Sequence, residues 1–254
     1  MLEYRIDGPQ TGTPLVLLNG LFADINSWQS AMPFLAKRRV LRLNSRGQGG
    51  SPPLTDSDGY ADQVADLVDL LTEIEWPVSD VVGVSHGGNL ALSLAQDQPQ
   101  RLRKVVAMGC LDQVTGLAAQ KIGTWAKAHQ VGGGRHRFDI ASPWVWSDTF
   151  LSEHGEVLAF YRDRADQYDD NQVRHLLRCA LAASCDPLQI HTPTLLMTGA
   201  EDVLTPTWSM AAMAQRFPNA TFRALPDTAH ASILEQPQVF ETHILPFLES
   251  GHVG

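Results

Sequence analysis

Ser85 stands in Gly83-Val84-Ser85-His86-Gly87, a G-x-S-x-G pattern with Gly88 directly after it. Five residues with three fixed positions recur by chance, so the flanks decide what the pattern means. An apolar, strand-like run, Asp80-Val81-Val82-Gly83-Val84, leads into the serine, and a helix-like stretch, residues 87–97, leads away from it. A strand-to-helix elbow of this kind exposes the hydroxyl at the carboxyl end of a sheet, where open α/β sheets bind their ligands. The glycines give the sharp turn room, because a Cβ there would strike a neighbouring element. The plain alternative is a glycine-rich turn with a capping serine.

A serine hydroxyl is a weak nucleophile at neutral pH and needs a base within hydrogen-bond reach. Behind a nucleophile elbow, the acid and then the histidine follow later in the chain. His230, in Asp227-Thr228-Ala229-His230-Ala231, comes just after the strand-like Thr221–Leu225, at the same predicted sheet edge as Ser85. None of the eight other histidines follows a late core strand in this way. Asp202, in Gly199-Ala200-Glu201-Asp202, follows the run that ends near Thr198. A carboxylate there would fix the imidazole tautomer and stabilise its protonated form. The same stretch also reads as a helix entry, with Thr205 as N-cap and Pro206 at the first helical position. Asp112, after the strand ending at Met108, is the rival acid, and Glu201 lies one residue off. A tetrahedral intermediate needs amide donors aimed at its oxyanion. The His86 N–H is one candidate, and Asn19-Gly20-Leu21-Phe22 offers the other, Leu21 first and Phe22 second.

The elements that must hold these residues are legible as alternating runs. Leu2–Ile6 alternates apolar and polar residues, as a half-exposed strand does. Leu15–Leu18 is continuously apolar, which suits a parallel strand covered on both faces. Residues 24–36 read as helical and Val40–Leu43 as a strand, and the stripe Val64, Leu67, Val68, Leu71, Ile74 predicts an amphipathic helix over 61–74. After Val105–Met108 the alternation breaks; residues 113–190 read as helical and irregular, with Gly132-Gly133-Gly134 in the middle. It resumes with a strand at Thr194–Met197, a helix at 206–216, a strand at Thr221–Leu225 and a helix at about 236–249 that Pro246 should kink or shorten. The expected architecture is α/β, a doubly wound, mostly parallel sheet with a helical insertion: a core of residues 1–112 and 191–254 and a cap of 113–190.

Composition sets limits on the class. Nineteen Lys and Arg against 28 Asp and Glu give a net charge of −9, a poor basis for binding nucleic acid. The start, with Glu3 and Asp7, lacks the basic and apolar stretches of a signal peptide, and no apolar run is long enough for a membrane span. Cys110, Cys179 and Cys185 have no C-x-x-C spacing and read as reduced thiols of a cytoplasmic protein. Glu153-His154-Gly155-Glu156 lacks H-E-x-x-H spacing, so no metal is expected. No cofactor is expected either.

Taken together, Leu17-Leu18-Asn19-Gly20, the elbow at Ser85, Pro193-Thr194-Leu195-Leu196 through Asp202, and His230 resemble the α/β-hydrolase superfamily, in its group of small, cap-bearing serine hydrolases. Arg46-Gly47-Gln48-Gly49-Gly50-Ser51 is similar to that family's R-G-x-G-x-S turn and is no phosphate cradle. Two positions depart from the family: Asn19 replaces its usual His before Gly20, and Asn44 its usual Asp before x-R-G. An Asn at the first of these is similar to acyltransferases that use hydroxyacyl groups on acyl carrier protein. The resemblance implies an α/β-hydrolase fold and a serine hydrolase cleaving a carboxylic ester, thioester or lactone through Ser85, His230 and Asp202. Acyl transfer from acyl carrier protein, C–C bond hydrolysis and a non-catalytic ligand-binding protein are the alternatives, and the chain is expected to be a monomer or homodimer.

In the cap, Trp125, Phe138, Trp144, Trp146, Phe150, Phe160 and Tyr161 suit an apolar acyl or lactone substrate. Asn19, Phe22, Trp125, Trp144 and Trp146 are therefore the candidate substrate-binding residues. Arg135-His136-Arg137 could meet an anion, but reads more simply as a solvated charged loop.

Overall fold

A computed structural model describes residues 1–114 and 116–251 of the chain. Seven strands form one sheet: β1 (Tyr4–Asp7), β2 (Pro14–Leu18), β3 (Arg39–Leu43), β4 (Ser79–Val84), β5 (Leu102–Met108), β6 (Thr194–Gly199) and β7 (Ala220–Leu225). Their order is β1-β3-β2-β4-β5-β6-β7; only β1 runs antiparallel to its neighbour. From β2 the chain goes to β3 on one side and then returns to β4 on the other. Such a reversal opens a crevice at the carboxyl ends of the two adjacent strands. Leu18 lies in register with Gly83, so the loop after β2 and the elbow after β4 emerge side by side.

Burial explains the strand pattern. β2 and β6 are buried almost throughout, because helices cover both faces, whereas the edge strands β1 and β7 alternate with exposed positions. On one face, α1 (Tyr60–Glu73), α2 (His86–Asp97) and α7 (Thr207–Ala214) pack on the sheet through Leu67, Leu71, Leu90, Leu94 and Met210. On the other face, Trp28, Leu35, Phe240, Ile244 and Leu248 close the core.

Two predicted helices differ in detail. Residues 24–36 form two short 3-10 turns, Ile25–Trp28 and Met32–Leu35, instead of one helix. Asp24 and Ser27 cap the first turn reciprocally, and Pro33 opens the second, so each ends where its capping ends. Near the C-terminus, after the short α8 (Ser232–Glu235), a π-helical turn, Phe240–Ile244, runs into α9 (Leu245–Glu249). Pro246 has no N–H to return to the turn before it, which accounts for the change of ladder there.

Between β5 and β6 the described residues hold four helices: α3 (Gly116–Val145), α4 (Asp148–Glu153), α5 (Gly155–Arg164) and α6 (Asp170–Leu181). Among the described residues of this region the one β feature is a single bridge, Gln113 to Ser184. α3 breaks at Gly132 and Gly133, the latter at φ +71°, where a side chain would be strained. A Cβ on Gly134 would lie 2.0 Å from the Ala165 carbonyl oxygen, so the broken helix and the end of α5 approach as closely as backbones can.

Candidate active site

Ser85 directly follows β4 at φ +55° and ψ −116°, a conformation that costs a non-glycine residue energy and is kept where the surroundings enforce it. The enforcement is visible. Ser85 N–H donates to the Met108 carbonyl at 2.7 Å, and a Cβ on Gly83 or Gly87 would sit 2.1 Å from a backbone oxygen, of Gly87 and Leu18 respectively. The elbow is therefore clamped between β2, β5 and its own helix.

His230 and Asp202 come from the ends of β7 and β6. His230 Nδ1–H donates to Asp202 Oδ2 at 2.8 Å, with both side chains buried. To reach Ser85 from β7 the imidazole must pass over the end of β5, and Gly109 makes that possible: a Cβ there would lie 3.0 Å from His230 Cε1. Asp202 takes further hydrogen bonds from the Leu204 and Thr205 amides (both 2.8 Å) and from Thr205 Oγ1 (2.6 Å). Burial pushes the Asp202 carboxyl up, but the charge and hydrogen bond of His230 and the Thr205 donors outweigh it and hold it well below the carboxylate range. An ionised Asp202 fixes the proton on Nδ1, leaving His230 Nε2 as the acceptor. Ser85 and His230 line one cavity. No Ser85–His230 hydrogen bond forms among the described residues, a contact that ligand-free sites often hold long.

Two readings of the sequence are corrected here. Thr205 is not the N-cap of α7, a position Pro206 occupies; its hydroxyl binds Asp202 instead. Asp112, the rival acid, pairs with Arg216, and it is Asp202 that binds His230.

The amides sort equally clearly. The Phe22 N–H is spent on Gln48 Oε1 at 2.8 Å, which helps hold Phe22 at φ +62°. The Leu21 N–H has no protein acceptor among the described residues, and neither does the His86 N–H in the first turn of α2. Gln48 was hidden in the sequence because it occupies the variable position of Arg46-Gly47-Gln48-Gly49. His86 is buried: its Nε2–H donates to Gln63 Oε1 (2.9 Å) and Tyr60 O–H donates to its Nδ1 (2.8 Å). Burial pushes its imidazole down to about 4. Tyr60 and Gln63, on α1, carried no signal beyond the stripe of their helix.

Asn19 lines the cavity, but its side chain is already engaged. Its Oδ1 accepts Trp28 Nε1–H at 2.6 Å and its Nδ2 donates to Asn44 Oδ1 at 2.8 Å. Asn19 and Asn44, the two departures from the family pattern, thus form a single amide–amide contact that braces the loops after β2 and β3.

The cavity, about 900 Å³, runs from Ser85 and His230 to the cap. Phe22, Trp125, Phe138 and Trp146 line it; Trp144 does not, and instead lies beneath the Lys121 ammonium, 5.9 Å from its ring centre. Trp144 and Trp146 are two residues apart at a helix end, so they leave it about 200° apart. Arg137 is no solvated loop residue. It lies within α3, 3% exposed, on the cavity wall.

Comparison with known proteins agrees with this architecture. The model of the alpha/beta hydrolase fold family matches residues 13–237, and the chain belongs to that family. A Variovorax paradoxus protein provisionally named carbamate hydrolase RutD is 26% identical over 255 residues, covering 97% of this chain and 96% of its own. A hydrolase from Pseudomonas aeruginosa superposes with a TM-score of 0.88 at 26% identity, over 98% of this chain and 94% of its own. The enol-lactonase of Burkholderia xenovorans shares the fold at a TM-score of 0.90 and 24% identity, over 98% and 96% of the two chains. Among the described residues no helix is long and apolar enough to cross a membrane.

Proposed function

We propose that the protein is a serine hydrolase that opens a carboxylic ester, thioester or lactone through an acyl-enzyme. The observation that carries this reading is the buried Asp202–His230 pair, whose histidine lines one cavity with Ser85 at its strained elbow. Ser85 Oγ attacks the carbonyl carbon as its proton passes to His230 Nε2, and the Leu21 and His86 amides receive the oxyanion. Collapse breaks the bond to the leaving group, which takes the proton from the imidazolium. Water then attacks the acyl-serine as its proton passes to His230; collapse breaks the bond to Ser85 Oγ, which takes that proton back, and the acid is freed. A carbamate presents the same kind of carbonyl, and the name of the Variovorax relative favours including one among the test substrates.

The test is a panel of p-nitrophenyl esters of rising chain length with one aryl carbamate, alongside fluorophosphonate labelling, for wild type and Ser85→Ala. Removing a triad nucleophile costs about 10⁴-fold or more in kcat. Turnover and labelling lost together in Ser85→Ala support the mechanism. A folded wild type that neither labels nor turns over any of them overturns it.

A further inference from the structure

Of the two guanidinium groups on the cavity wall, Arg137 is the one with no carboxylate partner among the described residues. The other lining guanidinium, Arg164, is paired with Asp24 at 2.6 Å. The three lining carboxylates are all engaged: Asp24 by Arg164, Glu3 by Asn44 Nδ2 and the Gly50 amide, Asp169 by the Asn171 and Gln172 amides. Of the five N–H donors of Arg137, one on Nη2 reaches the Ala165 carbonyl at 3.0 Å, and Nε is buried with no acceptor. Its guanidinium stacks 3.6 Å above the centre of the Phe22 ring, on the loop that carries Leu21.

Burial pushes this guanidinium down to about 10, which still leaves it charged at neutral pH. The face of the Phe22 ring offsets only part of the cost of this charge, and a buried charge without a full partner is costly. A ligand anion would remove that cost, and a carboxylate matches the planar donors of a guanidinium in shape. We infer that the cavity selects esters or lactones whose acyl part carries a second, ionised carboxylate, and that Arg137 binds that carboxylate beside the reacting carbonyl. This rests on the hydrolase reading above. It also amends the expectation of a wholly apolar substrate: the aromatic walls would hold the chain between two polar ends.

The test compares two substrates of equal length, p-nitrophenyl pentanoate and mono-p-nitrophenyl glutarate, in wild type, Arg137→Met and Arg137→Lys. The quantity read is the ratio of kcat/KM for the acid ester to that for the neutral one. The expected result is a fall of at least fivefold in Arg137→Met, carried by KM of the acid ester, with part of the ratio regained in Arg137→Lys. A structural strut would lower both substrates alike, so a fall in the ratio smaller than fivefold overturns the inference. Arg137→Gln replaces the Met variant if that fails to fold. Should wild type hydrolyse neither of these two esters, the hydrolase reading is decided separately, by the fluorophosphonate labelling and the wider panel above. The anion site is then read from the quenching of cavity tryptophan fluorescence by monomethyl glutarate: half-saturation at least fivefold higher in the variant supports the site, and a smaller change overturns it.

Discussion

The sheet side and the cap side of the cavity are built under different constraints. On the sheet side every candidate group is fixed by a strand end: Ser85 by β4, Asp202 by β6, His230 by β7, and the Leu21 loop by β2. Their spacing follows from strand order, and bare backbone at Gly83, Gly87 and Gly109 lets the pieces approach. The cap side is four helices held mainly by side chains, such as the stack of Trp146 on Phe150 at 4.8 Å. There one residue's shift along a helix changes which group faces the cavity. Chemistry is thus placed by topology, and selectivity by packing.

The sharpest way to break this contrast is on the sheet side, with the acid. Asp202→Asn leaves a side chain of the same shape but offers an amide where His230 Nδ1–H needs an acceptor. The expected loss is about 10³- to 10⁴-fold in kcat, with KM little changed. Asp112→Asn, which breaks only the pair with Arg216, should stay within about threefold because surface ion pairs contribute little. Steady-state kinetics of both variants decides. Equal losses would mean that the acid is not assigned by strand order.

His86 gives a sheet-side prediction in stability. Its imidazole is held at about 4 by burial, against an ordinary 6.5 in the unfolded chain. Below pH 6.5 the unfolded chain takes up a proton that the folded one refuses, so this contribution is intact above 6.5 and drains away as the pH falls toward 4. Between pH 6.5 and 4.5 it amounts to about 2 to 3 kcal/mol. Urea unfolding at the two pH values should show the loss in wild type. His86→Phe, whatever its stability at pH 7, should lack that part of the slope. An identical slope in the variant would place the sensitivity elsewhere.

How much of this was legible in sequence follows the same division. The strands of the sheet and the candidate trio were legible because each rests on a short local pattern, a strand and the few residues after it; the strand order, and with it the reversal at β2, came from the fold. Gln48 was not, since its work is to take the amide of Phe22 from a neighbouring loop, 26 residues away. The Asn19–Asn44 contact was visible only as two separate departures, until the parallel strands β2 and β3 brought their ends together. Arg137 was read as solvated because it stands in a run of basic residues, but α3 turns it inward while Arg135 stays at the surface with Asp163 and Asp166. Aromatic density in the cap marked a segment that lines the cavity without saying which of its rings face it.

That last gap yields the smallest predicted effect and the most direct probe of the cap. Ser142–Ser147 holds two tryptophans that composition cannot tell apart, but Trp146 is buried against Phe150 and Tyr161 on the cavity wall, while Trp144 packs outside it beneath Lys121. Trp146→Leu removes one ring from the acyl-binding wall. The transfer term for the lost aromatic surface is of the order of 1 to 2 kcal/mol, so kcat/KM for the preferred ester should fall about tenfold. The optimum should also move toward longer acyl chains that refill the space. Trp144→Leu should change neither the optimum nor kcat/KM by more than about threefold, since helical spacing points it away from the substrate. The chain-length profile separates the two variants even if both lose some stability, because a general loss of folded enzyme scales every ester alike. A shifted optimum in Trp144→Leu, or an unshifted one in Trp146→Leu, would mean that the cap lies over the substrate in a different register.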